Sequence, residues 1–444
     1  MIILELTYFL TGVLCSVIFV ILFYSSIREL KFRAFLISGF VLVVFTLYWF
    51  GVFTIFKSPL IMTFSMAIVL LFILMFFLPA GKTISLQIGE ITGRVDERDV
   101  MFAREEYQAG TTRYKNYYSS KPENKAIDDK LRKLPELLKP GSRYYDPIRS
   151  PFISSIFKLI RGLTNDVDGE SANIKHNVKP NDITMAIKEM VLNMGAVDVG
   201  IANLNPAYVY SHVGRGPEVW GTPINNNHRF VIVFALEMDY YRIEKAPGLP
   251  VTLETARQYL SSANISIILA KFIRRMGYPA RAHIAGSNYQ ILLPPVAYDA
   301  GLGELGRIGY IISPKFGARI RLGAVTTDLP LIVDKPITFG VQNFCEKCLK
   351  CAINCPSNAI TKDVKMNIRG IIKWQINTDK CLHYWRVIGT DCALCMKVCP
   401  YSHPHSFIHN IVRMGIRRTD FARTISLYGD NLLYGKKTNY SDYQ

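Results

Sequence analysis

The chain has 444 residues, half of them hydrophobic, with a mean hydropathy of +0.17 and a formal net charge of +17. This composition excludes a disordered, collagen-like or disulfide-framework chain. The apolar excess is local, because residues 1–80 hold only six charged side chains, Glu5, Arg28, Glu29, Lys31, Arg33 and Lys57, so a short lipid-phase segment precedes a large soluble part.

Three apolar stretches come first, at about 2–25, 35–56 and 59–80. Each is long enough to cross ~30 Å of hydrocarbon, which takes ~20 helical residues. The first lacks the basic start and A-x-A site of a cleaved signal peptide, and two more spans follow it. Residues 1–81 therefore read as a membrane anchor of three transmembrane helices. Arg28, Lys31 and Arg33 lie between spans one and two, but only Lys57 between two and three, and Lys82 follows span three. Basic loops stay inside. The expected topology is a multi-pass protein of the cell inner (cytoplasmic) membrane, with the domain beyond residue 81 on the cytoplasmic side.

Residues 81–444 keep +15 of the net charge, since the spans and their loops hold four basic and two acidic side chains. A basic surface beside a membrane meets anionic lipid. It can also attract nucleic acid or an acidic electron-donor protein, and charge alone does not choose. Residues 82–181 are polar and rich in Lys, Tyr, Ser and Pro, which reads as a linker and irregular region with little core.

From 182 the pattern tightens. "DITMAIKEMVLNMGA" has apolar residues at helical spacing, and "VDVGIANL" reads as a strand. "HRFVIVFALEM" (228–238) is a continuous apolar strand of the kind buried on both faces. Residues 252–278 form a long helix that stops at Gly277 after Arg274-Arg275. "ARAHIAG" and "YQILLPPVAY" are short strands or turns, and 317–331 alternates like a strand. Strands interleaved with helices make 182–340 an α/β or α+β sheet domain.

Eight of the nine cysteines lie between 345 and 399, which reads as metal ligation; Cys15, inside the first apolar run, is a small core or lipid-facing residue. Cys345-x2-Cys348-x2-Cys351-x3-Cys355-Pro356 is the ferredoxin run, in which three thiolates hold one [4Fe-4S] cluster and the fourth crosses to another. A second run follows, Cys381-x10-Cys392-x2-Cys395-x3-Cys399-Pro400, with a longer first spacing. Zinc is the competing metal, disfavoured by two C-x2-C-x3-CP runs. The crossed pattern predicts one cluster on Cys345, Cys348, Cys351 and Cys399, and a second on Cys355, Cys381, Cys392 and Cys395. Residues 341–410 are thus a two-cluster ferredoxin-type domain, and 411–444 a C-terminal tail.

Residues 182–410 resemble the corrinoid-dependent reductive dehalogenases. The resemblance rests on "YSHVGRG" (210–216), "FALEMDY" (234–240), "FIRRMGYPARAH" (272–283), "DAGLGELGRIGYIISPKFGARIRL" (299–322) and the two cysteine runs. It implies a nitroreductase-like corrinoid-binding core at 182–340 followed by the ferredoxin domain. It also implies a base-off corrinoid of the cobalamin type, two [4Fe-4S] clusters, and reductive removal of halide from an organohalide. No D-x-H-x-x-G corrinoid motif is present, since His212 and His283 lack the aspartate two residues earlier, and the family uses none.

By position, Tyr259 matches the family's catalytic tyrosine, and Asn288 and Arg321 match its two partners, with Arg319 the near alternative to Arg321. A phenol, with an ordinary pKa of ~10, carries a proton at neutral pH. It can deliver that proton to the carbon left by the halide, and an arginine stabilises the phenolate left behind. Family members typically carry a twin-arginine export signal and a separate three-helix anchor. Here the first Arg-Arg is Arg274-Arg275, and three spans stand at the N-terminus. The fusion leaves open whether electrons come from the quinone pool or a ferredoxin-type protein.

Two other readings stay open at this point. Epoxyqueuosine reductases share the corrinoid core and clusters, act on tRNA, and use an aspartate near "MDY", here Asp239. A non-catalytic membrane electron-transfer module would need the clusters but not the long stretch before them. The spans and the tyrosine-type site favour the dehalogenase reading, in which membrane lipid and an organohalide are expected partners and nucleic acid is not.

Overall fold

The computed structural model describes residues 1–286 and 289–438, and the chain divides into two compact units. The first comprises Met1–Ser85, Phe339–Cys348 and His403–Thr438. The second comprises Leu86–Thr338 and Leu349–Ser402.

In the first unit three helices, Ile2–Arg28, Phe32–Phe56 and Pro59–Phe77, are long and apolar enough to cross a membrane. Ser58 caps the third, with Pro59 in its first turn where a missing N–H does no harm. Helices in lipid gain little from apolar burial, so close backbone approach and polar contacts hold them. Both are present here. Trp49 stacks on Tyr8 with ring centres 4.4 Å apart, and its Nε1 donates to the Tyr8 carbonyl at 2.9 Å. Gly12 makes room for that indole, since a Cβ there would stand 2.1 Å from Trp49 Cδ1.

Of the stretch 411–444, expected as a tail, the described residues to 438 are largely helical. Helices Phe407–Arg418 and Asp420–Tyr434 pack on the membrane helices, with Gly415 against the Phe76 ring and Phe421 edge-on to Phe72 at 5.8 Å. The helix Val341–Cys348, with two ferredoxin cysteines, belongs to the same unit. The expected boundaries at 340 and 410 therefore do not coincide with the division of contacts. Periodicity identifies helices but does not say which unit they join.

The second unit is built on a four-stranded sheet: β1 (Asp198–Asn203), β2 (Phe230–Glu237), β3 (Ala280–His283) and β4 (Ile320–Thr327). The spatial order is β1-β2-β4-β3, and every pair is antiparallel. Of the two expected classes this is α+β. Register brings Ile201, Ile232, Val325 and Ala282 into line. Residues Phe230, Ile232, Phe234 and Leu236 of β2 pack with the helices Leu249–Arg275 and Pro180–Asn193, while Val231, Val233 and Ala235 face Tyr208, Val296 and Tyr298. Both faces are covered, which is why the strand is continuously apolar and not alternating. Truncating a buried ring such as Phe234 to alanine costs about 3–5 kcal/mol in such a core.

Two expectations are corrected. The stretch 82–181 is not an irregular linker. It holds helices Thr112–Ser120, Pro122–Arg132 and Arg149–Gly162, and it contributes Ile153, Ile160 and Val167 to buried clusters. Its other core is a tyrosine cluster, Tyr107, Tyr117 and Tyr118, whose hydroxyls find partners: Tyr117 donates to Asp99 at 2.9 Å and Tyr118 to Asp128 at 2.8 Å. A core of amphipathic rings reads as polar when residue types are counted. "LPPVAYD" is a short helix, Leu293–Asp299, not a strand, because its prolines stand in the first turn.

Candidate active site and cluster ligands

A cavity of about 1460 Å³ lies within the second unit. One wall comes from the long helix and β4. Thr255 and Tyr259 stand one turn apart on that helix, so they share a face. Arg321 on β4 reaches across to both. Its Nη2 donates to Thr255 Oγ1 at 3.0 Å, and its guanidinium carbon lies 5.3 Å from the centre of the Tyr259 ring. Asp391 lies 3.8 Å from Arg321 Nη2, and its backbone N–H donates to Thr252 Oγ1 at 3.0 Å.

Charge is balanced locally. Burial disfavours the Arg321 cation, but Tyr259, Asp391, Tyr310 and Tyr289 outweigh it, and its pKa rises. Burial pushes the Asp391 carboxyl up, against the pull of Arg321. Burial and then Tyr259 push the Tyr289 phenol up. Among the described residues, Arg321 Nε and Asp391 Oδ2 are buried polar atoms without a hydrogen-bond partner. Such atoms call for a ligand.

The cavity also carries sulfur. Cys355, Cys381, Cys392 and Cys395 all line it. Burial and then the neighbouring Cys355 push the Cys381 thiol up to about 12, and burial followed by Cys392, Cys381 and Cys355 raises Cys395. Four sulfurs brought to one cavity are candidates for shared metal ligation, which takes them as thiolates. The Ala359 N–H donates to Cys355 Sγ at 3.3 Å.

The Cys348-x2-Cys351 and Cys392-x2-Cys395 turns share a device. Leu349, after Cys348, has φ +55°, and Ala393, after Cys392, has φ +49°. Left-handed backbone is costly for residues other than glycine. Its recurrence at the same position of both motifs marks a turn made to converge sulfurs. Cys345 and Cys348 lie on Val341–Cys348, Cys351 on Lys350–Ile353, and Cys399 just before Pro400.

The structure separates the other candidates. Asn288 lies outside the described residues. Arg319 does not line the cavity. It is buried, donating from Nε to the Ser402 carbonyl at 2.6 Å and from Nη1 to Glu237 at 3.0 Å. Gly317 beside it, at φ +60°, has its Cβ position 2.3 Å from the Tyr401 backbone, so only glycine fits. Asp239 is likewise absent from the cavity. It caps the helix Tyr240–Ile243, accepting from the Arg242 N–H at 2.9 Å. His283 is buried, with Nε2 3.0 Å from Thr326 Oγ1.

Thr255, Tyr289, Tyr310 and Asp391 line the cavity and were not singled out from sequence. Only Asp391 had a usable signal, since it directly precedes Cys392.

Comparison with known proteins agrees with this geometry. Residues 344–403 match the model of the 4Fe-4S dicluster domain. The tetrachloroethene reductive dehalogenase of Sulfurospirillum multivorans is 33% identical over 298 residues, covering 59% of each chain. That of Desulfitobacterium hafniense is 35% identical over 217 residues, covering 46% of this chain and 39% of the other. The catabolic reductive dehalogenase NpRdhA, solved with 3-bromo-4-hydroxybenzoic acid, superposes with a TM-score of 0.67 at 26% identity, covering 82% of this chain and 50% of its own. A further reductive dehalogenase structure, described as suggesting a mechanism for B12-dependent dehalogenation, gives 0.66 at 26% identity. An epoxyqueuosine reductase from Lactococcus garvieae is 32% identical over only 112 residues, 24% of this chain. The chain spans 59% or less of the lengths of these curated dehalogenases. In sequence and in fold the chain is similar to the reductive dehalogenases, with a 4Fe-4S domain at its cysteine runs.

Proposed function

We propose that the chain is a membrane-anchored reductive dehalogenase, which converts R–X, two electrons and a proton into R–H and halide. The observation that carries this reading is that Tyr259, Arg321 and four cysteines line one cavity. A source of protons and a source of electrons meet there in the same space.

The group implied for the cavity is a base-off corrinoid. The residues fit it by size, since about 1460 Å³ exceeds the ~300–1,000 Å³ of ordinary small-molecule sites and leaves room for a macrocycle and a small substrate. They fit by chemistry too, through the buried Arg321 Nε, which has no hydrogen-bond partner among the described residues. When bound, the corrinoid supplies the low-potential metal that breaks the carbon–halogen bond. The chain does the rest. Cys355, Cys381, Cys392 and Cys395 would hold one [4Fe-4S] cluster and Cys345, Cys348, Cys351 and Cys399 a second, and the clusters would supply the electrons. Tyr259 carries the proton, Arg321 stabilises the phenolate, Thr255 orients Arg321, and Asn288 fixes the substrate or the ring.

The basic loop of Arg28, Lys31 and Arg33 supports a catalytic unit on the cytoplasmic side of the inner membrane. The electron donor is then a quinone or a ferredoxin-type protein reached from that side. Metal analysis and EPR of the anaerobically purified chain test the reading, together with halide release from a panel of haloalkenes and halophenols driven by reduced viologen. Cobalt near one and iron near eight per chain, with halide release, are expected. Iron without cobalt, and no halide, would make it an electron-transfer module instead.

A further inference from the structure

The membrane unit contains a second group of polar side chains that the proposed reaction does not use. Glu29 directly follows the first apolar helix, His403 lies three residues past Pro400, His409 is on helix Phe407–Arg418, and Asp430 is on Asp420–Tyr434. Glu29, His409 and Asp430 are 5%, 7% and 7% exposed. His409 Nε2 stands 2.6 Å from Glu29 Oε1, His403 Nδ1 stands 3.9 Å from Glu29 Oε2, and His403 Nε2 stands 2.6 Å from Asp430 Oδ1. One ligand atom from each of Glu29, His403 and His409 lies within 4.8 Å of the others.

Burying two carboxylates beside two imidazoles is costly unless the charge is matched. Glu29 Oε2 is buried and accepts no hydrogen bond among the described residues, with His403 Nδ1 3.9 Å away. Ionised carboxylate and neutral imidazole are the forms that ligate. The two histidine rings lie parallel, 9° apart in plane with centres 4.7 Å apart, so both present an edge toward Glu29. Asp430 on His403 Nε2 fixes a proton there and turns the Nδ1 lone pair toward Glu29, as carboxylates do behind metal-bound histidines.

We propose that Glu29, His403 and His409 bind one zinc-class divalent cation, with Asp430 as the residue that orients His403. Two imidazoles and a carboxylate suit zinc and its neighbours, not magnesium or calcium, which prefer all-oxygen shells. The ion replaces the His409–Glu29 hydrogen bond with two metal bonds. It ties the loop after the first span to the two C-terminal helices.

The test uses the full chain in detergent, loaded with its clusters, then equilibrated with Zn(II) and washed. Parent protein should keep about one zinc per chain beside its iron. Glu29→Gln preserves the shape and the hydrogen bond to His409 but should lose that zinc at least tenfold, with iron unchanged. Asp430→Asn should weaken Zn(II) affinity by about 10–100-fold in a chelator competition. Zinc that persists in Glu29→Gln would sit on cysteines and overturn the proposal, as would a parent with none. Should Glu29→Gln fail to assemble, calorimetric titration of the parent with Zn(II) decides: one site with proton release supports it, and no saturable site overturns it.

Discussion

Arg321 joins two residues one helical turn apart: its Nη2 donates to Thr255 at 3.0 Å while its guanidinium carbon sits 5.3 Å from the centre of the Tyr259 ring. The helix fixes the spacing and the strand supplies the cation. The phenol and the guanidinium are therefore held by two rigid elements and not by a loop, which favours a preorganised site.

Replacing Tyr259 by Phe keeps the ring and removes only the transferable proton. Halide release at equal cobalt loading should fall about 10²–10⁴-fold, with iron and cobalt contents as in the parent. Undiminished turnover would take Tyr259 out of the reaction.

Arg321→Gln removes the charge that faces the phenolate. The expected loss in kcat is about 10²–10³-fold, in the range of a single removed stabilising donor in a buried site. Arg319→Lys, by contrast, should act on stability and leave kcat in the surviving protein close to the parent's, because Arg319 bonds Ser402 and Glu237 away from the cavity. A larger kcat effect at Arg319 than at Arg321 would reverse the assignment.

Cys355→Ala should remove the cluster held with Cys381, Cys392 and Cys395. Iron should drop from about eight to about four per chain, with the other cluster's EPR signal intact. Loss of the other signal instead would show that the ligands are not crossed.

Glu254 provides a pH test outside the reacting groups. It is fully buried, and it accepts from Arg257, Gln258 and the Asp239 N–H. Burial raises its pKa, but these bonds outweigh that and hold it below the ordinary carboxylate value. A depressed folded pKa contributes stability above the unfolded value of ~4.3, which is lost as pH falls through the folded value. Glu254→Gln should therefore be less stable at pH 7, by about 2 kcal/mol for bonds to a charged group. Parent and variant should converge as pH drops below ~4. Fluorescence-detected melting across that window reads it, and parallel curves would refute the role.

Reporter fusions after Gly81 should be active only as cytoplasmic reporters, given the basic first loop. An active periplasmic phosphatase at that junction would place the catalytic unit outside.

What sequence makes legible follows the strength of each pattern. The long helix and β2 are readable because fifteen or more periodic residues, or seven unbroken apolar ones, leave few alternatives. The cysteines are readable because ligand chemistry needs fixed spacing. The tyrosine cluster of 107–118 is not, since rings with paired hydroxyls do not register as hydrophobic. Asp391 and Thr255 are not either, because they reach Arg321 only through the fold: Thr255 lies 66 residues before it in sequence. Glu29 and His409 are 380 residues apart, a distance no local pattern spans.

The membrane unit is discontinuous, with its first segment ending at Ser85 and its last beginning at His403. At ~5–20 residues per second, tens of seconds separate their synthesis. Through that interval the nascent spans must wait in the bilayer without the helices that pack against Phe72 and Phe76. The whole second unit is made in between. A ribosome that stalls or a chain that ends before 403 therefore leaves a fully synthesised catalytic unit tethered to an unfinished anchor. That is a species in which quality-control proteases would find exposed helix faces within the membrane.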